Sequence, residues 1–178
     1  MTDKIKIGLI FGGNSSEYEV SIMSAHNIYE EIDTNKFDVY PMWITNDGYL
    51  ADDADSRKVL DNPKMEVANP HKVANIYNII DIKDRAEIDV FFPFVHWNLG
   101  EDGCLQGLFR VLDKPFVGDD VLAAAVTMDK EMTKILAQRA GVPVAKWIAV
   151  KRFEYNDPDD EKLDYEYVAS QLGSDLFV

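Results

Sequence analysis

One stretch constrains this chain more than any other, Ile88 to Gly107. Ile88 to Val95 is an apolar run in which Asp89 is the only charge. A run of that length, rich in Val and Phe, is expected to form a buried strand and not a helix. It leads into His96, then a polar loop, then Gly100 and Gly103 on either side of Glu101 and Asp102. Beyond Gly103 the period changes. Leu105, Leu108, Phe109 and Leu112 fall at i, i+3, i+4 and i+7, one face of an amphipathic helix. In open α/β sheets, ligands sit outside the carboxyl ends of such strands. His96 and Glu101 are expected at that edge.

The start of the chain follows the same order. Lys4 to Phe11 reads as a first strand, Gly12 to Ser16 as a turn, and a helix follows with Ile22, Ala25, Tyr29 and Ile32 on one face. Ser16, with Glu19 three residues later, predicts a capping box. That leaves Glu17 spare at the head of the helix. It either complements the helix dipole or faces a ligand at the end of the first strand. Asp38 to Thr45 reads as a second strand, in which Pro41 suggests an edge position. Residues 51–84 are poorly patterned and carry no assigned chemistry. His71 in that region, and His26 off the apolar face of the first helix, read as surface histidines.

Further on, Pro115 to Gly118 reads as a short strand and turn, and Asp119 to Val126 as a helix. At Thr127 a helix starts or restarts and runs to Ala140, with Gly141 as its stop and Pro143 beyond. Lys146 to Val150 is expected as a strand and Asp157 to Glu161 as an acidic turn and helix start. That helix reaches Leu172 and ends at Gly173. Leu176 to Val178 looks like the opening of another strand. The expected fold is α/β: an open parallel sheet with flanking helices over residues 1–126. Residues 127–178 read as the beginning of a second, truncated domain.

Composition removes several function classes. The net charge of −14 disfavours nucleic acid and acidic membrane surfaces as partners. No apolar run approaches the ~20 residues of a membrane-spanning helix, and the N-terminus lacks the features of a signal peptide. The lone Cys104 permits no internal disulfide and points to a reducing compartment. Its place in a first helical turn could activate a thiolate, but no base adjoins it, and a small buried residue is the expected role. Gly12-Gly13-Asn14-Ser15 lacks the third spaced glycine of a dinucleotide fingerprint. No Walker loop, zinc spacing or nucleophile elbow is present, and no metal ligands are assigned.

Glu17, His96 and Glu101 remain. If their two strands are parallel neighbours, these side chains converge on one crevice, and acid plus imidazole suits a small zwitterion. Lys130 is a separate signal. A lysine in a helix first turn opposes the dipole and points to an anion such as phosphate. In a helix continuous from Asp119 it is ordinary surface.

The segment Gly12-Gly13-Asn14-Ser15-Ser16-Glu17-Tyr18-Glu19-Val20-Ser21, with Ser24-Ala25, resembles the first signature of the D-alanine–D-alanine ligases. His96, followed by Gly100-Glu101-Asp102-Gly103 and Leu105-Gln106-Gly107, resembles the second. Pro115-Phe116-Val117-Gly118 and Met128-Asp129-Lys130 continue the match in order, so that it runs from Lys4 to Val150. The resemblance implies a pre-ATP-grasp domain followed by the start of an ATP-grasp domain. It implies a cytoplasmic ligase of cell-wall precursor synthesis, using ATP and Mg2+, and a homodimer. ATP would phosphorylate one D-alanine, and the amine of a second would attack the acyl phosphate. By motif position Glu17 would hold the first substrate's ammonium, His96 would lie near its carboxylate, and Lys130 would contact nucleotide phosphate. Glu101 and Asp102 would shape the loop. The metal ligands are expected beyond Val178. Two positions depart from the family: Trp97 stands where it usually has Gly, and Tyr18 where it often has His. D-alanine–D-lactate and D-alanine–D-serine ligases are close alternatives, and a non-catalytic binding or regulatory domain is the alternative from another class.

Overall fold

The computed structural model describes residues 4–75, 88–150 and 164–176. The chain forms two compact units, residues 1–128 and 129–178. In the first, β1 (Ile5–Gly12), β2 (Phe37–Ile44), β3 (Tyr49–Ala51), β4 (Lys72–Asn75) and β5 (Val90–Phe94) make one sheet in the order β4-β3-β2-β1-β5. β1 pairs in parallel with both β2 and β5, while β3 and β4 extend the sheet antiparallel. The parallel core predicted from the sequence is therefore present, with a short antiparallel extension. Pro41 lies in β2 opposite Leu9, and β2 meets β3 only at Ile44. An interior strand thus tolerates proline where its outer side has no partner strand among the described residues.

Helices cover both faces. α1 (Tyr18–Glu31) and α2 (Asp53–Asp61) pack on the face presented by Leu9, Phe11, Val39 and Trp43, through Ile22, Ala25, Val59 and Leu60. α3 (Cys104–Val111) covers the other face, where Leu105 and Phe109 meet Ile10, Met42 and Phe91. Strand side chains alternate between the two clusters, as the pleat requires. The Phe91 and Phe109 rings stack with centroids 4.7 Å apart, which docks α3 onto β5. α4 (Val121–Met128) closes the unit.

Several expectations change in detail. α1 has Glu17, not Ser16, at its N-cap position, and no side chain caps it. The hydroxyl of Ser15 accepts from the Glu17 N–H at 3.2 Å, so the turn is made one residue earlier than a capping box needs. His26 is half-buried, with Nδ1 2.8 Å from the Leu60 carbonyl oxygen, because α2 packs over that side of α1. His71 is exposed, as expected. Cys104 opens α3 but is exposed and not buried. The neighbouring Asp102 carboxylate raises its thiol pKa, against a thiolate role. Pro115–Val117 reaches the sheet through a single parallel bridge, Phe91 with Phe116.

In the second unit, α5 (Lys130–Arg139) is capped by Asp129, whose carboxylate accepts from the Met132 N–H at 3.0 Å. The helix therefore restarts, and Lys130 stands in its first turn. α6 (Tyr165–Leu172) ends at Gly173. Lys146 to Val150 is not a strand, since it finds no ladder partner among the described residues. The acidic turn at Asp157 and the last residues, Phe177 and Val178, lie outside the described residues, and Leu176 is in no strand.

Candidate active site

The site is built on the adjoining carboxyl ends of β1 and β5. Their ladder ends with Phe11 opposite Phe94. Beyond it the β1 loop passes against β5. Gly13 has φ of +99°, and a Cβ there would lie 2.8 Å from a methyl of Val95. Glycine permits both the backbone angle and the close approach. Glu17 follows, half-buried, at the head of α1.

The loop after β5 is braced by its own acids. Glu101 Oε2 accepts from the Trp97 N–H at 2.9 Å, and Glu101 Oε1 lies 3.6 Å from His96 Nδ1. Asp102 accepts from the N–H groups of Leu99 and Cys104, both at 3.0 Å. Partial burial pushes the Asp102 carboxyl upward, but those two donors outweigh it and hold the group below its ordinary value. Buried Gln106 donates to the Gly100 carbonyl at 2.8 Å. Gly100 is pressed against the strand end, and a Cβ there would fall 1.8 Å from the Val95 carbonyl oxygen. Trp97 has φ of +66° and is 49% exposed. A tryptophan thus occupies a left-handed position of the kind that favours glycine.

A cavity of about 230 Å3 opens at the end of β5, lined by His96, Gly100, Glu101, Gln106, Gly118 and Asp119 among others. His96 Nε2 and Gln106 Oε1 are buried with no hydrogen-bond partner among the described residues. Buried polar atoms left in that state are places for a ligand or a water. The structure thus brings His96 and Glu101 to one cavity. Glu17 does not line it. The cavity lies between β5 and the Phe116 segment, on the outer side of β5, whereas Glu17 follows β1 on the inner side. Glu17 and His96 follow the ends of neighbouring strands. Lys130 belongs to the second unit.

Sequence reasoning missed Ser21 and Gln106. The hydroxyl of Ser21, fully buried, accepts from the Gly12 N–H at 2.7 Å and donates to the Phe94 carbonyl. The signal was available: Ser21 shares a helix face with Ala25 and Tyr29, so a polar residue interrupts the apolar stripe. Tyr18, at the position where a histidine is common, accepts from Trp43 Nε1 at 2.8 Å. Burial, aided by the Asp47 carboxylate, raises its phenol pKa.

Fold and site together define an α/β domain with a candidate site at the ends of parallel strands, the place where open α/β sheets bind ligands. Comparison with known proteins gives the family. The family model described as D-ala D-ala ligase N-terminus matches residues 6–119, and the chain belongs to that family. It is 96% identical to the D-alanine–D-alanine ligase of Lactobacillus johnsonii, over the whole of this chain and 49% of that protein. Among solved structures it resembles the VanG D-Ala:D-Ser ligase of Enterococcus faecalis, with 33% identity, TM-score 0.63, and coverage of 86% of this chain and 47% of the other. It also resembles the D-alanine–D-alanine ligase of Bacillus anthracis complexed with ATP, with 26% identity, TM-score 0.59, and coverage of 89% and 44%. The chain spans about half the length of the curated relatives it matches.

Proposed function

We propose that this chain is the N-terminal half of an ATP-dependent D-alanine–D-alanine ligase acting in the cytoplasm in peptidoglycan precursor synthesis, as a homodimer. The observation that carries the reading is near-identity to such a ligase along the whole chain, with Glu17 and His96 at adjoining strand ends. In this reading residues 1–126 are the pre-ATP-grasp domain and residues 127–178 begin the ATP-grasp domain.

Glu17 holds the ammonium of the first D-alanine, and the imidazole of His96 lies near its carboxylate. His96 Nε2, buried and unpartnered, is suited to bond a ligand oxygen. Glu101 and Asp102 fix the loop that aims the imidazole. ATP supplies the phosphoryl group that activates the carboxylate, and the amine of a second D-alanine displaces it to form the peptide bond. Lys130 binds nucleotide phosphate at the first turn of α5. Mg2+ would accompany the nucleotide, but among the described residues no cluster of three or more His, Cys, Asp or Glu could hold it. No helix among the described residues is long and apolar enough to cross a membrane.

The test is a coupled assay of ADP release and dipeptide formation by the full-length protein that carries this chain. D-alanyl-D-alanine and ADP in equal amounts are expected, with neither formed by residues 1–178 alone. Absence of D-alanine-dependent ADP release from the full-length protein overturns the reading. A D-alanine–D-serine ligase is the second reading, supported by the likeness to the Enterococcus enzyme. Preferential incorporation of D-serine or D-lactate in the same assay selects that alternative.

A further inference from the structure

We propose that Ser21 is a positioning residue for the ligation reaction, setting the offset between the two strand ends that carry Glu17 and His96. The proposal rests on the ligase reading above.

The β1–β5 ladder ends at Phe11 and Phe94, where the chains must separate to form two loops. Gly12, the next residue of β1, turns away at φ of +88°. Its N–H and the Phe94 carbonyl would both be left without ladder partners. The Ser21 hydroxyl supplies both, accepting from the Gly12 N–H and donating to the Phe94 carbonyl. A hydroxyl has one proton and two lone pairs, so this small side chain can do both at once. The bridge spans 73 residues of sequence. Ser21 itself is fully buried and its bond to Gly12 is buried, while the bond to Phe94 is partly buried, so losing the hydroxyl strands a buried donor.

The connection to the site is short at each end. The Ser21 N–H donates to the Glu17 carbonyl at 2.9 Å, so bridge and acid belong to the same turn of α1. Phe94 is two residues before His96. Val95 between them meets Gly13 from the β1 loop. One side chain therefore ties the turn bearing the acid to the strand bearing the imidazole. A ligand held by both needs that spacing fixed, because small displacements of oriented groups are costly to reaction rates. Ser21 touches no substrate in this arrangement and acts through Glu17 and His96.

The experiment uses the full-length ligase with D-alanine and ATP varied separately. Ser21→Ala is expected to raise the KM of the first D-alanine about tenfold and to move the ATP KM by less than about twofold. Ser21→Thr, which keeps the donor and both acceptors, is expected to restore most of the loss. Where Ser21→Ala does not fold, Ser21→Cys keeps the shape, weakens both bonds and carries the same test. A lower melting temperature with parental D-alanine KM makes Ser21 a stability residue only and overturns the proposal. Equal rises in both KM values overturn it as well. A parent without D-alanine-dependent ADP release overturns the ligase reading, and the proposal with it.

Discussion

After β1 the chain turns through Gly12 and Gly13, both at positive φ, and reaches Glu17 through main-chain bonds from Ser15 to Gly13 and from Tyr18 to Ser15, with the Ser15 hydroxyl accepting from the Glu17 N–H. After β5 it turns through Trp97 and Leu99, also at positive φ, but here Glu101, Asp102 and Gln106 each fix main-chain groups. The first loop relies on glycine geometry and leaves its acid without a capping bond. The second relies on side chains, and its acids are occupied in holding the loop. Three carboxylates near one site therefore differ in what they can do. Glu101 and Asp102 are committed to backbone N–H groups, whereas Glu17 makes no capping bond, which is what suits it to the ammonium contact proposed for it.

The largest expected effect tests the braced loop. Gly100→Ala places a methyl where the Val95 carbonyl stands, and neither backbone can move without breaking the braces. A loss of about 3 kcal/mol of stability is expected, at the upper end for overpacking. Gly13→Ala meets only a Val95 methyl, which can rotate away, so it should cost less despite its positive φ. Denaturant unfolding of both variants checks the order. Equal losses would mean the two loops are equally rigid, and the contrast would fail.

Next comes the acid of the other loop. Glu17→Gln in the full-length protein keeps the size and removes the charge. A charge-assisted contact to an ammonium becomes a neutral one, at roughly 1.5–3 kcal/mol of D-alanine binding, or about tenfold to a hundredfold in affinity. Glu19→Gln, exposed in the same first turn, is the control and should leave D-alanine kinetics unchanged. Parental D-alanine kinetics for Glu17→Gln would return Glu17 to a dipole role worth roughly 0.3–1 kcal/mol of stability.

What the sequence made legible follows from the range of the interactions. The two strands and the α3 face rest on local periodicity and could be read from neighbouring residues, whereas the adjacency of the strands stood only as a condition, and the choice between a helix restarting after Thr127 and one continuous from Asp119 came from the Asp129 cap. Ser21 was legible only as a polar break in the apolar face of α1, because its two partners, Gly12 and Phe94, become neighbours only when the sheet forms. His26 was misplaced for the same reason, its partner being on α2. Cys104 was misjudged because α3 turns its first residue outward. The expected capping box failed on a competition between adjacent serines, which pattern alone does not decide. Gly13 and Gly100 were visible as loop glycines, yet the Val95 contacts that require them came only from the fold.

A smaller effect belongs to Asp102. Its folded-state pKa is depressed, so its contribution is present above the unfolded value near 4 and is lost as pH falls through the lower folded value. Acid below about pH 4 should therefore loosen the braced loop before it touches the β1 loop. Because the group is partly exposed and screened by solvent, Asp102→Asn should cost only about 1 kcal/mol at neutral pH. It should also flatten the acid limb of the stability profile. A profile identical to the parent's in shape would mean that the Leu99 and Cys104 N–H bonds hold no charge-dependent stability.

The smallest effect concerns the backbone at Trp97, which with Leu99 is one of two non-glycine residues at positive φ in the loop. Replacing Trp97 by Gly alone mixes three changes: lost indole packing, relieved left-handed strain and a more flexible unfolded chain. Replacing it by Ala loses the same indole and keeps the strain. The difference between the two variants therefore reads the backbone alone. A non-glycine residue in the left-handed region costs roughly 1–2 kcal/mol, and glycine's unfolded-state entropy returns roughly 0.5–1. Trp97→Gly should then exceed Trp97→Ala in stability by roughly 0.5–1 kcal/mol. The sign should reverse at Asn27, exposed within α1, where Ala is better than Gly by roughly 0.8–1 kcal/mol. Chemical denaturation of the four variants measures both differences. The two Trp97 variants should also share any change in D-alanine kinetics that comes from losing the indole beside His96, while ATP affinity stays at the parental value. If Ala matches or exceeds Gly at position 97, the loop relaxes to negative φ when the indole is gone. The side chain, and not the braces from Glu101 and Asp102, would then be what holds the turn, and the contrast between the two loops would lose its basis.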